Sequence, residues 1–133
     1  MAGPRFLFIC SPARESVRVA DGAGTRADLV TWRLLGANNR ELGRSPIWYP
    51  GWDSCIEAVH VLRRDIGAVA SAITAVAAPG GVWSWQLTVG GKPVAVASRP
   101  YHRHRECTYN LSHFVAAVPA ARIMTDPCVL ERR

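Results

Sequence analysis

The sequence predicts an α+β protein: a tandem duplication of a β-β-β-α(-β) motif forming a single antiparallel sheet with two helices packed on one face. Residues 32–62 and 83–114 carry the same order of Trp, Leu, Ser, Tyr and Cys. The offset is 53 between Trp32 and Trp85 and 52 between Tyr49 and Tyr101, and we assign the extra residue to the loop around positions 46–48. Each copy alternates apolar and polar residues before it changes to helical spacing.

The length of 133 residues fits one domain. Within it, we expect repeat one to span approximately residues 16–69 and repeat two residues 70–126. No apolar run is long enough to span a bilayer, and residues 6–10 are too short for a signal peptide. We therefore expect a cytoplasmic protein that does not enter the membrane, and a monomer, because the duplication replaces a dimer.

The first strand of copy one has two candidates. Residues 6–10 have the composition of a strand, whereas residues 16–20 alternate polar and apolar side chains as a half-buried strand does. We prefer residues 16–20, because their distance to Trp32 is closer to the corresponding spacing in copy two.

Alternation and turn signals predict the next two strands. Residues 29–35 place Val, Trp and Leu on the face that the helices must cover, and they leave Thr31 and Arg33 on the open face. The Asn pair at positions 38–39 predicts a turn, because Asn tolerates a positive φ. Residues 41–45 form the returning strand.

The first helix is predicted to start at a capping box formed by Ser54 and Glu57 and to stop before Gly67. Its apolar face carries Cys55, Ala58, Val59 and Leu62.

Copy two repeats this plan, with strands at residues 71–78, 82–89 and 92–98 and a two-residue turn at Gly90-Gly91. For residues 71–78 the alternative is a continuing helix, because the segment is rich in Ala. In the second of these strands the residues expected to face inward are Trp83, Trp85, Leu87 and Val89. The second helix spans residues 105–117 and Pro119 ends it. Residues 122–125 predict a last strand.

The shared residues of the two copies resemble the YegP-like family of tandem-repeat bacterial proteins. Copy one carries the pattern as Trp32, Leu34, Asn38, Gly43, Ser45, Tyr49, Cys55, Ala58, Val59 and Leu62. Copy two carries it as Trp85, Leu87, Gly91, Ala97, Ser98, Tyr101, Cys107, Asn110, Leu111 and Phe114. The resemblance covers residues 16–118. The chain departs from the family in having Cys where each helix usually has Ala, Asn110 at a usually small site, and an extended N-terminus.

The resemblance implies two β-β-β-α-β motifs on one sheet, with the strand after each helix exchanged between the halves. It assigns residues 66–69 and 122–125 to these exchanged strands. The family has no assigned chemistry, so the resemblance implies a fold and no reaction.

Positive charge is concentrated in residues 66–133, which hold seven basic and three acidic side chains of a chain with net charge +6. The densest cluster is Arg99, Arg103 and Arg105, with Tyr101 inside it. Arginines can bind phosphate while the tyrosine stacks on a base, and Arg33 is expected to be the only cation on the open sheet face. The alternative is an ordinary solvated loop.

Trp48 and Trp52 have no aromatic counterpart in the other copy and lie in a predicted loop. Aromatic side chains beyond the needs of a core can mark a protein contact surface. The alternative is that they cover the sheet edge or pack on the N-terminal extension.

His102, His104 and Cys107 are ligand types that zinc accepts, but Cys107 falls on the core stripe and a fourth ligand is missing nearby. Cysteines near a helix N-terminus have a lowered pKa, whereas buried cysteines act as small hydrophobes. We expect reduced thiols, and the pairing of Cys10 with Cys128 stays open.

We therefore predict no catalytic, metal-binding or cofactor-binding residue. The sequence favours a non-catalytic binding or structural module of unassigned function, with an unknown partner that is a protein or nucleic acid. The first alternative is a nucleic-acid-binding protein that uses the loop from Arg99 to Arg105. A thiol- or metal-dependent activity near Cys107 is the weaker alternative.

Overall fold

The computed structural model describes residues 3–11, 29–76, 81–124 and 129–130. The first half contains β1 (Arg5–Ser11), β2 (Leu29–Leu35), β3 (Glu41–Arg44) and α1 (Trp52–Asp65). The second half contains β4 (Ala70–Val76), β5 (Val82–Val89), β6 (Lys92–Val96), α2 (His104–Ala120), β7 (Arg122–Ile123) and β8 (Val129–Leu130).

The described strands form one sheet in the order β4-β5-β6-β3-β2-β1-β7, with β8 also paired to β1. The two three-stranded antiparallel units meet where β3 pairs with β6 at Arg44 and Val96. The predicted α+β fold with one sheet and two helices is confirmed, but the sheet is mixed rather than wholly antiparallel. β7 and β8 run parallel to β1, because the chain returns to β1 through α2 instead of a hairpin.

The first strand of the sheet is β1, so the preference for residues 16–20 is wrong. β1 pairs with β2 from Arg5 opposite Leu35 to Ser11 opposite Leu29, and β3 pairs with the other edge of β2. Both edges of β2 are thus occupied. Residues 16–20 themselves lie outside the described residues.

One of the two exchanged strands is present. β7 follows α2 and pairs with β1 of the other half, where the Arg122 N–H donates to the Pro4 carbonyl at 3.0 Å. The strand predicted at residues 66–69 is wrong, because this segment contains the turn after α1. In that turn the Ala68 N–H donates to the Asp65 carbonyl at 2.8 Å.

The helices are longer than the sequence predicts. α1 has Gly51 at its N-cap, with a φ of 133° and no side-chain cap hydrogen bond, so the predicted capping box is wrong. The helix begins at Trp52, two positions before Ser54, and the Trp52 ring packs 4.8 Å from that of Phe8. α2 continues one residue past Pro119.

The two hairpins contain the same β-bulge. Leu34 pairs with Gly43 and Leu87 with Ala95, and in each hairpin the next pair skips one residue of the returning strand. The extra residue of the first half therefore lies in the turn between β2 and β3, and not in the loop at positions 46–48.

With this register, Ser45 and Ser98 do not occupy equivalent positions in the two halves, although the sequence comparison matched them. The Ser45 N–H donates to the Trp32 carbonyl at 3.0 Å, and the Ala97 N–H donates to the Trp85 carbonyl at the same distance. Ser45 thus corresponds to Ala97, and Ser98 lies one residue beyond the matching position.

A single hydrophobic layer lies between the sheet and the helices. The Phe114 ring of α2 lies between those of Trp32 and Trp85, with ring centroids 6.3 and 4.9 Å away. Gly43 provides the room for it, because a Cβ there would be 2.6 Å from the Phe114 ring and 2.8 Å from Trp85. Helix α2 of the second half is thereby packed directly on the first half.

Two residues differ from the prediction in how much of their side chain is exposed to solvent. Val89 was expected to face inward but is 37% exposed, because it directly precedes the turn at Gly90. Thr31 was expected on the open face in contact with water but is only 7% exposed. Its hydroxyl donates to the Ile47 carbonyl at 2.8 Å, since the loop after β3 folds against it.

Both described helices lack the length and apolar character needed to cross a lipid bilayer.

We expect Gly43→Ala to lower the free energy of unfolding by about 1–3 kcal/mol, because the new methyl group overlaps the Phe114 ring in a close-packed core. Urea denaturation followed by tryptophan fluorescence measures this change. The matched control is Gly67→Ala, since a Cβ at Gly67 meets nothing within 4 Å. Equal stability of the two variants would contradict the packing described above.

Candidate functional site

A groove lies at the end of the sheet where the turn between β2 and β3 meets the loop before α2 and the outer face of α2. Its cavity volume is about 540 Å³, which is within the range of small-molecule sites. We call it the Tyr-Arg groove after six of its lining residues, which are Arg40, Arg99, Tyr101, Arg105, Tyr109 and His113.

The junction between β3 and β6 brings the two sides of this groove together. These strands are antiparallel, and Arg44 lies opposite Val96. Four residues before Arg44 is Arg40, and the same number after Val96 is Pro100, between Arg99 and Tyr101. Because the strands are antiparallel, the chain before Arg44 and the chain after Val96 extend toward the same end of the sheet. Arg40 therefore lies near Arg99 and Tyr101 although they are distant in sequence.

Tyr101 is held in place by backbone hydrogen bonds. Its N–H donates to the Trp83 carbonyl at 2.7 Å, and the Trp83 N–H donates back to the Tyr101 carbonyl at 2.6 Å. The Arg99 guanidinium carbon lies 5.9 Å from the Tyr101 ring centroid, a distance at which a cation and an aromatic ring attract each other.

Helix α2 supplies the other wall of the groove. Arg105, Tyr109 and His113 are four residues apart and therefore lie on one helical face. Tyr109 is 73% exposed, and its ring centroid is 6.2 Å from that of His113.

The floor of the groove is tied to the core through Asn110. Its side-chain Oδ1 accepts a hydrogen bond from the Trp85 indole at 2.5 Å, and the residue is buried. Copy one has Ala58 at the matching helix position, and the Trp32 indole N–H is buried without a hydrogen-bond partner among the described residues.

Three arginines give the groove its charge. Arg40, Arg99 and Arg105 form no ion pair with any residue that the structure describes. Their positive charges are therefore available to an anionic ligand.

Both glutamates that line the groove are engaged by arginines outside its lining. Glu41 lies 3.4 Å from Arg33 and 2.7 Å from Arg44, and Glu106 lies 3.8 Å from Arg103. The carboxylates are thus largely neutralised by these neighbours, and they weaken the field of the groove arginines only in part.

The structure brings together only part of the predicted nucleic-acid contact. Arg99, Tyr101 and Arg105 line the groove, whereas Arg103 is exposed beside it. Arg33 lies on the open sheet face and is half-buried. The expectation that Arg33 is the only cation on this face is wrong, because Arg44 lies directly opposite it in the sheet.

Sequence reasoning missed Arg40, Arg44 and Tyr109. The spacing of Tyr109 from Arg105 was a usable signal, because it places both residues on one helical face. Arg40 had no such local signal, since its position depends on which strands join the two halves.

The two tryptophans proposed as protein contacts differ in their surroundings. Trp52 is half-buried on Phe8, in agreement with the alternative that it packs on the N-terminal segment. Trp48 is 36% exposed and its neighbour Ile47 is 53% exposed. Only Trp48 presents a surface to solvent of the kind that contact requires.

The cysteines of the two helices are buried free thiols, and Cys10 is disulfide-bonded. Burial raises the pKa of the Cys55 thiol to about 12 and also raises the pKa of Cys107. The effect of burial on the thiol pKa therefore outweighs that of the nearby helix N-termini. The expectation of reduced cysteines is wrong for Cys10, which is disulfide-bonded. Cys128 lies outside the described residues.

The His102, His104 and Cys107 pattern does not converge. Both histidines are exposed while Cys107 faces the core, and the His104 ring packs edge-on to Trp83 with centroids 4.8 Å apart. Within the described ranges there is no group of three or more His, Cys, Asp or Glu residues arranged to hold a metal ion.

The fold is similar to that of yegP from E. coli, a protein of unknown function whose solution NMR structure is known. The TM-score is 0.60, the sequence identity is 10%, and the similarity covers 97% of each chain. No protein-family model matches the sequence, and no curated protein matches it. The similarity shows the same fold that the resemblance of the two copies implies.

We expect Cys55 and Cys107 to resist alkylation by iodoacetamide in the native protein at neutral pH. The reagent needs an accessible thiolate, and burial both raises the thiol pKa and blocks access. Mass spectrometry of peptides containing each cysteine, with and without urea, measures the labelling. Rapid labelling of either cysteine in the native protein would instead support the hypothesis of a thiol-dependent activity.

Proposed function

We propose that the protein is a non-catalytic, monomeric binding module whose Tyr-Arg groove binds nucleic acid. The observation that carries this proposal is the placement beside Tyr101 and Tyr109 of three arginines that pair with no carboxylate among the described residues.

The chemistry of the lining suits phosphate and base together. Arginine guanidinium groups form charge-assisted, often bidentate hydrogen bonds with phosphate. An exposed tyrosine ring offers a flat surface on which any base can stack, and such stacking contributes about 1–3 kcal/mol per base. Tyr109 presents such a ring, and Arg105 lies one helical turn away from it.

A binding role is favoured over catalysis by the state of the candidate reactive groups. Cys55 and Cys107 are buried thiols with raised pKa values, and the groove glutamates are paired with arginines. The monomer is favoured because the two halves share one core, as the subunits of a small obligate dimer do.

A second candidate is a protein-binding role for the loop that carries Ile47 and Trp48. The observation in its favour is that two adjacent large apolar side chains are exposed. Its test is capture of a partner by the native protein, with loss of that partner in Trp48→Ala at unchanged unfolding free energy.

The groove is tested by fluorescence anisotropy with a labelled single-stranded trinucleotide at low and physiological salt. We expect Arg99→Ala and Arg105→Ala each to weaken binding about tenfold or more, because a hydrogen bond to a charged group contributes about 1.5–3 kcal/mol. Arg64→Ala on α1 is the matched control, since it removes the same charge from an exposed position and both Arg64 and its partner Asp65 lie outside the groove lining. Equal losses in all three variants, or no binding by the native protein, would contradict the proposal.

A further inference from the structure

We infer that the Tyr-Arg groove is one end of a longer track, and that a single-stranded nucleic acid runs from it across the open sheet face to Trp48. This inference rests on the proposed function and extends it, because it names the form of the nucleic acid and the additional residues that bind it.

Three cavities connect along this path. A second cavity of about 450 Å³ shares Arg40, Glu41 and Arg99 with the Tyr-Arg groove and adds Arg44 and Ser98. A third, of about 290 Å³, shares Arg44 with the second and is lined by Arg33 and Trp48 among others. Because each cavity shares lining residues with the next, the three adjoin one another, and we call the path along them the track.

Positive charge follows the track. Arg33 and Arg44 both pair with the carboxylate of Glu41, and Arg40 lines the second cavity together with Arg44 and Glu41. Glu41 compensates one of these charges and holds Arg33 and Arg44 in fixed positions. An excess of fixed guanidinium groups on the open face is the arrangement that a chain of phosphates requires.

Ser98 is an unpaired donor in the middle of the track. Its Oγ is buried without a hydrogen-bond partner among the described residues, and the residue lines the second cavity. By contrast, the Ser45 hydroxyl donates to the Ile47 carbonyl at 2.9 Å and accepts from the Ile47 N–H at 3.2 Å. A buried polar atom without a partner is unfavourable, and a phosphate oxygen in the track would supply the missing acceptor.

Aromatic side chains lie at both ends of the track. Tyr101 and Tyr109 line the groove at one end, and the exposed Trp48 lines the last cavity at the other. Stacking on these rings requires bases that are not paired with a complementary strand. The track therefore fits a single strand and not a duplex.

The test is a length series of labelled deoxythymidine oligonucleotides from about three to about twelve nucleotides, a range that covers typical site sizes of small single-strand-binding folds. We expect the affinity to rise at least tenfold with length and then to level off. The slope of log affinity against log salt should steepen by about 0.7 for each added phosphate contact. A duplex of the same length should bind more weakly.

Ser98→Ala separates this inference from a purely structural role of the serine. We expect it to weaken binding of the long oligonucleotide several-fold and to leave binding of the trinucleotide unchanged. Its unfolding free energy should stay equal or rise, because the substitution removes a buried unpaired hydroxyl. Trp48→Ala should show the same dependence on length. Arg44→Ala should weaken binding of the long oligonucleotide more than that of the trinucleotide, because it removes a track charge and also a partner of the groove residue Glu41. Arg64→Ala on the exposed surface of α1 is the charge-matched control.

The outcomes distinguish the two proposals. Binding of the trinucleotide that depends on Arg105 but does not strengthen with length would overturn the track and leave the groove intact. Unchanged long-oligonucleotide binding in Ser98→Ala, Arg44→Ala and Trp48→Ala would also overturn the track. Absence of binding at every length would overturn the proposed function itself, and tighter binding of duplex would overturn the single-stranded form.

Discussion

The packing of Phe114 between Trp32 and Trp85 is the contact on which the rest of this structure depends. The strands that join the two halves pair over few residues: β3 and β6 share a single register pair, and β7 and β8 each share two pairs with β1. Phe114 comes from the second half and lies on Gly43 of the first. The halves are therefore held together mainly by a shared hydrophobic layer, as expected for units too small to be stable alone.

This junction also creates the candidate site. Because β3 and β6 run in opposite directions, the turn before β3 lies beside the loop after β6, and Arg40 meets Arg99 and Tyr101. The Tyr-Arg groove thus contains residues from both halves, and neither half could form it alone. Asn110 links the groove to the core through its hydrogen bond with Trp85. A change in the packing of Phe114 should consequently alter the shape of the groove.

The two halves share a hairpin geometry and differ in chemistry. Both contain the same bulge and the same hydrogen bond to a buried tryptophan. The loop after β6 carries Arg99, Tyr101 and Ser98, whereas the loop after β3 carries Ile47 and Trp48. The first loop suits phosphate and bases, and the second suits a flat apolar surface. The common framework therefore holds two different surfaces, which the track connects across the open face.

The spacing of residues along the chain predicted several local elements correctly. Alternation gave the exact bounds of β2 and β5, and the Gly90-Gly91 pair predicted a turn in which both residues have positive φ. These features depend on neighbouring residues, whose spacing decides which side chains share a face. The pairing of β1 with β2, of β3 with β6, and of β7 in parallel with β1 depends instead on the packing of the whole chain. Every strand offers the same backbone donors and acceptors, so the choice of neighbour follows from how the helices cover the whole sheet. Arg40 and Arg44 enter the candidate site through that choice alone.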